Sequence, residues 1–148
     1  MMLESFMDEH LPRIEDELDS CLPKTTTYPE RLHEAIRYST MGAGKRLRAL
    51  LGIAAAEMVA RDRFPEVQGA AYRLAAAVEM LHAYSLIHDD LPCMDDDDFR
   101  RGKPSNHKVF GEGLAVLAGD ALLTETFALL VQLTELGVPA PTVIAITG

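Results

Sequence analysis

An all-α fold is expected from three features of the sequence. Apolar residues recur at three- to four-residue steps over several stretches. No alternation of apolar and polar residues lasts long enough to describe a strand. Most Pro and Gly residues fall between the periodic stretches, where they punctuate helices.

The first helix is expected over residues 3–22, where Leu3, Phe6, Leu11, Ile14, Leu18 and Leu22 make one apolar face and acidic residues the other. Pro12 lies inside it and predicts a helix start or a kink there. Residues 23–28 are a loop, and Pro29 suits the first position of a second helix, with Glu30 in its first turn. Met41, Gly42, Ala43 and Gly44 break that helix. Lys45, Arg46 and Arg48 open the next, which continues through Ala60. Cations in a first turn oppose the helix dipole, at about 0.3–1 kcal/mol each, so an anion is expected between them. Arg61 to Phe64 is a turn. Pro65 or Glu66 starts a long alanine-rich helix, and Pro92 ends it just after Asp90. Residues 91–111 read as a loop or a short broken helix. Gly113 to Leu133 is apolar nearly all round, and is expected to be buried on several sides or to form a subunit interface. The last seven residues begin a further element.

Composition narrows the function. The chain has 148 residues, is 48% hydrophobic and carries a formal charge of -9. That is enough length and apolar content for a real core. The acidic balance argues against a nucleic-acid binder, which would present a basic face. The two cysteines, Cys21 and Cys93, have no zinc spacing and suggest reduced thiols in a cytoplasmic setting. No signal-peptide core fits among the early acidic residues, and Asp120, Glu125 and Gln132 make the 114–133 run a poor membrane span. No membrane anchor is expected.

The chemistry concentrates between His82 and Lys108. Asp89, Asp90, Asp95, Asp96, Asp97 and Asp98 fall within ten positions and are followed at once by Arg100 and Arg101. On the long helix His82, Ser85 and Asp89 share one face, with Tyr84 further around it. Asp95 returns from the loop beyond Pro92. Carboxylates from a helix end and a returning loop can hold one side of a Mg²⁺ ion and leave its other positions to water and phosphate oxygens. Paired arginines suit diphosphate oxygens. An acid run alone is most often a solvated loop, and the adjacent Arg pair with the separate KRxR helix start distinguishes this one. Rival sites fail on spacing. An EF-hand started at Asp89 or Asp95 misplaces its ligands, and Gly44-Lys45 is not followed by the Ser or Thr of a P-loop. A helical His-Asp phosphohydrolase would use only His88-Asp89 and leave the arginines unexplained.

At these residues the chain resembles the trans-type short-chain isoprenyl diphosphate synthases. Asp89-Asp90-Leu91-Pro92-Cys93-Met94-Asp95 matches the first aspartate-rich motif in its DDxxxxD form. Arg100-Arg101-Gly102-Lys103-Pro104 matches RRGxP, and Gly44-Lys45-Arg46-Leu47-Arg48 matches GKRxR. The resemblance implies the N-terminal part of the isoprenoid-synthase helical bundle as a single partial domain over residues 1–148. The family's second aspartate-rich motif and catalytic lysine are not among these residues. The resemblance further implies a Mg²⁺-dependent prenyltransferase that joins isopentenyl diphosphate to an allylic diphosphate, dimethylallyl or geranyl, usually as a homodimer. Asp89 and Asp95 would hold the metal with Asp90 in support, and Arg100 would bind the allylic diphosphate. Lys45, Arg48, His82 and Arg101 would bind isopentenyl diphosphate. Tyr84 and Ser85, five and four positions before Asp89, would set product length, in a pattern similar to bacterial farnesyl diphosphate synthases. Alternatives are a geranylgeranyl diphosphate synthase, and a non-catalytic truncated homologue that binds diphosphate or partners a complete subunit.

Overall fold

A computed structural model describes residues 2–148 and is built from helices, as the apolar periodicity requires. In chain order these are α1 (Met2–Cys21), α2 (Glu30–Thr40), α3 (Leu47–Ala60), α4 (Phe64–Asp89), α5 (Asn106–Phe110), α6 (Glu112–Val131) and α7 (Ala140–Thr147). Short 3₁₀ turns occupy Arg61–Arg63 and Gln132–Leu136. Pro12 sits within α1, which runs on past it. Pro29 is the N-cap of α2, one position earlier than the sequence suggested.

One element departs from the expected all-helical pattern. Within 91–111, β1 (Phe99–Arg100) and β2 (Lys103–Pro104) form a two-residue antiparallel pair, with Phe99 opposite Pro104 and Arg100 opposite Lys103. Arg101 and Gly102 turn the chain between them, both at positive φ (55° and 77°), a region that glycine enters without steric cost. Strands this short carry no readable alternation, which explains why the sequence showed only a loop there.

The chain divides into two compact units. Among the described residues the first comprises 2–21, 46–79 and 126–148. Its core is Ile14, Ala49, Leu50, Ile53, Tyr72 and Ala75, with Phe6, Met7, Leu11, Phe64 and Ala71 packed against them. A buried ion network completes it. Arg46 is 4% exposed and Glu79 3% exposed. Arg46 donates from Nε and Nη2 to the Glu15 carboxylate at 2.7 and 3.2 Å, and its Nη1 lies 3.5 Å from Glu79 Oε2. Glu79 Oε1 also accepts from the Ala49 backbone N–H at 3.3 Å. A carboxylate from α4 thus caps the N-terminus of α3, where no side chain of the N-cap residue does so. This corrects the reading of three cations around an anion. Lys45 and Arg46 precede the helix, and Arg46 is committed to carboxylates of its own chain.

The second unit comprises residues 22–45 and 80–125. Leu22, Ala35, Ile36, Met80, Ala83, Ile87, Leu91, Ala115, Ala118 and Leu122 are its buried apolar residues among those described. Asn106 fastens α5 to α2 by donating Nδ2 to Ala35 O and to Ser39 Oγ, both at 2.8 Å. Tyr38 Oη donates to Pro104 O at 2.8 Å, tying β2 to the same helix.

Helix α6 is less enclosed than its composition suggested. Ala115, Ala118, Leu122, Leu129 and Leu130 are buried, but Val116, Leu117, Phe127 and Val131 are exposed. By length and composition alone, Glu112–Leu136 is apolar and long enough to cross a membrane. The regular burial of one face and the exposed Asp120 and Glu125 are those of a helix packed on one side in a helical domain.

Candidate functional site

The acidic stretch begins where α4 ends. Leu91 N donates to His88 O at 3.2 Å and Met94 N to Leu91 O at 2.8 Å, a tight turn that Pro92 helps enforce. Asp95 N then donates to Asp89 O at 2.8 Å, so the chain does fold back and bring the backbone of Asp95 against that of Asp89. Asp96 N bonds Leu91 O at 3.1 Å and fixes the next residue too.

Six neighbouring carboxylates repel one another unless cations separate them. Here two side chains do part of that work. Arg100 donates from Nε to both Asp90 oxygens, at 2.9 and 3.2 Å, and from Nη2 to Asp90 Oδ1 and, at 3.2 Å, to Asp97 Oδ2. Lys108 Nζ pairs with Asp98 Oδ1 at 2.6 Å. Among the described residues no ion pair reaches the carboxylates of Asp89, Asp95 or Asp96. Asp90 is only 2% exposed. A buried carboxylate is costly without a bonded partner, so the Asp90–Arg100 fork is a fixed feature of the unit. Hydrogen bonding to Asp90 raises the Arg100 guanidinium above its already high range, which keeps it charged. Its Nη1 has no partner among the described residues and remains for a ligand.

Arg101 is held differently. Its Nη1 donates to Ala43 O at 3.2 Å. Its guanidinium lies against Gly44, where an added Cβ would overlap it. The glycine of the GKRxR stretch therefore gives room to the second arginine of RRGxP. Ala43 and Arg101, 58 positions apart in sequence, thus meet through backbone and side chain within the second unit. A cavity of about 50 Å³ opens beside them, lined in part by Tyr38, Asp90, Arg100, Arg101, Lys103 and Asn106. Asn106 Oδ1 is buried without a partner among the described residues.

The remaining expected residues fall as follows. Lys45 is exposed in the loop before α3 and belongs to the second unit. Arg48 is exposed in the first turn of α3 and belongs to the first unit. His82, Tyr84 and Ser85 are half-buried on α4. Ser85 Oγ donates to His82 O at 2.9 Å, a bond within the helix. Tyr84 meets His88 edge-on, with ring centroids 4.9 Å apart. His88 is turned onto α6, with Nε2 3.1 Å from Val116 O and its ring over Gly119, where a Cβ would collide with it. A histidine so engaged is not paired with Asp89 as a metal-dependent phosphohydrolase would need. Sequence reasoning missed the Asp90–Arg100 fork and the closeness of Gly44 to Arg101. The only signal was the immediate succession of acids and arginines.

Comparison with known proteins agrees with this geometry. The polyprenyl synthetase family model matches residues 29–147. The chain is 54% identical over 124 residues to the heterodimeric geranylgeranyl pyrophosphate synthase large subunit 1, chloroplastic, of Arabidopsis thaliana, covering 84% of this chain and 32% of that protein. It is 50% identical over 128 residues to the farnesyl diphosphate synthase of Bacillus subtilis (strain 168), covering 86% of this chain and 41% of that one. The solved geranyltransferase of Legionella pneumophila superposes with a TM-score of 0.88 at 38% identity, over 99% of this chain and 50% of that one. The chain thus spans between about a third and a half of the length of these relatives. The family model covers most of the chain, the solved relative shares its helical fold, and the aspartate and arginine motifs are in place: this chain belongs to the polyprenyl synthetase family.

Proposed function

We propose that this chain supplies the first half of an active site for Mg²⁺-dependent head-to-tail prenyl transfer. In that reading an allylic diphosphate is condensed with isopentenyl diphosphate to give farnesyl diphosphate. The observation that carries it is the buried Asp90–Arg100 fork, which presents a permanently charged guanidinium beside a turn that folds Asp95 back to Asp89. The similarity to farnesyl and geranylgeranyl synthases supports it.

The donor set suits the metal. Asp89 and Asp95 offer hard carboxylate oxygens with no nitrogen or sulfur ligand between them in sequence other than Cys93, and Mg²⁺ is usually held by one or two carboxylates and substrate phosphates. Bound there, Mg²⁺ would neutralise charge on the departing diphosphate. The chain's own residues do the rest of the work proposed here. Arg100 Nη1 donates to an allylic diphosphate oxygen while Asp90 fixes its direction. Arg101, Lys45, Arg48 and His82 bind the isopentenyl diphosphate. The allylic C–O bond breaks, the isopentenyl double bond attacks the resulting cation, and a proton leaves. Fixed cations aimed at the leaving group stabilise that charge separation.

Tyr84 and Ser85 are proposed to form the floor against which the growing tail stops. A geranylgeranyl product remains the second reading, since geranylgeranyl pyrophosphate synthases are among the similar proteins. The complementary second aspartate-rich motif is not among these 148 residues, so turnover is expected only in a full-length synthase and not from this chain alone. The test is product analysis with isopentenyl and dimethylallyl diphosphates. A full-length synthase carrying this sequence should form a fifteen-carbon product and lose turnover with Asp89→Asn. Turnover indifferent to that change or to chelation of Mg²⁺ overturns the proposal.

A further inference from the structure

Three ligand-bearing side chains that the diphosphate reading does not use converge at the base of the β1–β2 hairpin. Asp96 and Asp98 precede β1, and His107 follows β2. An oxygen of each carboxylate and a ring nitrogen of His107 all lie within 4.8 Å of one another. Ligand atoms around a shared ion with bonds of about 2.0–2.2 Å stand up to about 4 Å apart, so a small closing movement completes the set. The carboxylates alone would be unremarkable on a surface. His107 is what singles them out. It is 6% exposed, its Nδ1 lies 3.2 Å from Ser105 Oγ, and its Nε2 is buried with no hydrogen-bond partner among the described residues. Nearly all buried polar atoms are satisfied, and one that is not needs an explanation, of which a bound ion is one.

We propose that Asp96, Asp98 and His107 form a second cation site, separate from the Asp89–Asp95 pair, for a borderline divalent transition metal such as Zn²⁺. Imidazole favours such ions, whereas a set of carboxylates alone favours Mg²⁺. In this proposal Nε2 is the ligand atom and Ser105, at Nδ1, is the outer partner, an arrangement that fixes ring direction in metal sites. Two carboxylate oxygens, one nitrogen and a water complete four-coordination. The ion clips together the two ends of the hairpin, where Ser105 N already donates to Asp98 O at 2.9 Å. Because Arg100 and Arg101 lie inside that clip, the metal steadies the segment that carries them. Lys108, paired with Asp98 Oδ1 at 2.6 Å, is the competing cation.

The experiment is a calorimetric titration of the 148-residue chain with Zn²⁺ in excess Mg²⁺, which fills purely carboxylate sites. Visible absorption of Co²⁺ provides a second readout of nitrogen ligation. One equivalent is expected to bind, with affinity falling at least about tenfold in Asp96→Asn and in Asp98→Asn and unchanged in Asp89→Asn/Asp95→Asn. Asp96 and Asp98 are exposed, so these variants test the site without disturbing packing. Zn²⁺ binding that survives both Asp96→Asn and Asp98→Asn, binding lost only with Asp89 and Asp95, or no stoichiometric binding would each overturn the proposal.

Discussion

A carboxylate buried to 2% exposure needs donors, and Asp90 takes them from Arg100. Asp90→Ala should release the guanidinium and weaken Mg²⁺-dependent pyrophosphate binding about tenfold, whereas Asp90→Asn keeps an acceptor and should lose less; calorimetry on the two variants checks the order. Losing hydrogen bonds to a charged group should also lower stability by about 1.5–3 kcal/mol. Gly44→Ala makes a complementary test. The added methyl occupies the place of the Arg101 guanidinium, so binding should weaken while thermal stability stays close to that of the parent. The cysteines differ for a physical reason. Burial pushes the Cys21 thiol up, and Cys93 is exposed. A raised value leaves less thiolate below it, so on raising the pH towards the ordinary thiol range Cys93 should react first with iodoacetamide. Mass mapping of the alkylated chain reads this directly, and equal rates would contradict it. At this scale the sequence showed which residues belong together but not how they pair. Asp90 looked like one more member of an acid run, since nothing in the run itself marks which carboxylate is buried.

Helix positions were largely legible because apolar spacing, Pro29, Pro92 and the 41–44 break each leave a local mark. Contacts between elements leave none. Arg46 looked like an anion ligand at a helix start, yet Glu79, 33 positions away, and Glu15 claim it. Removing Glu79 takes one carboxylate from the buried Arg46 and leaves it paired with Glu15. Glu79→Ala also removes the cap on Ala49, so it should lower the unfolding midpoint by far more than Glu66→Ala, whose partner Arg63 is a solvated neighbour. Similar midpoints for the two would show that the network is not structural. The β1–β2 hairpin escaped the sequence for a different reason: two residues per strand are too few to alternate, and turn chemistry at Arg101-Gly102 was masked by the motif it belongs to.

At the scale of the whole molecule, the all-helical class and the family were legible in motif order, whereas the two compact units were not. Each unit leaves apolar side chains exposed. Leu51, Met58 and Ile144 are examples in the first, and Val116 and Leu117 in the second. Exposed apolar surface of this kind drives association, so sedimentation of the 148-residue chain should show species heavier than 16.3 kDa, increasing with concentration. The central claim is that the turn after α4 and the hairpin arginines make a metal-dependent diphosphate site. Calorimetric titration of the chain with inorganic pyrophosphate, with and without Mg²⁺, tests it most directly. Binding should require Mg²⁺ and vanish in Asp89→Asn/Asp95→Asn. Equal binding in the absence of Mg²⁺, or binding that persists in that variant, would contradict it.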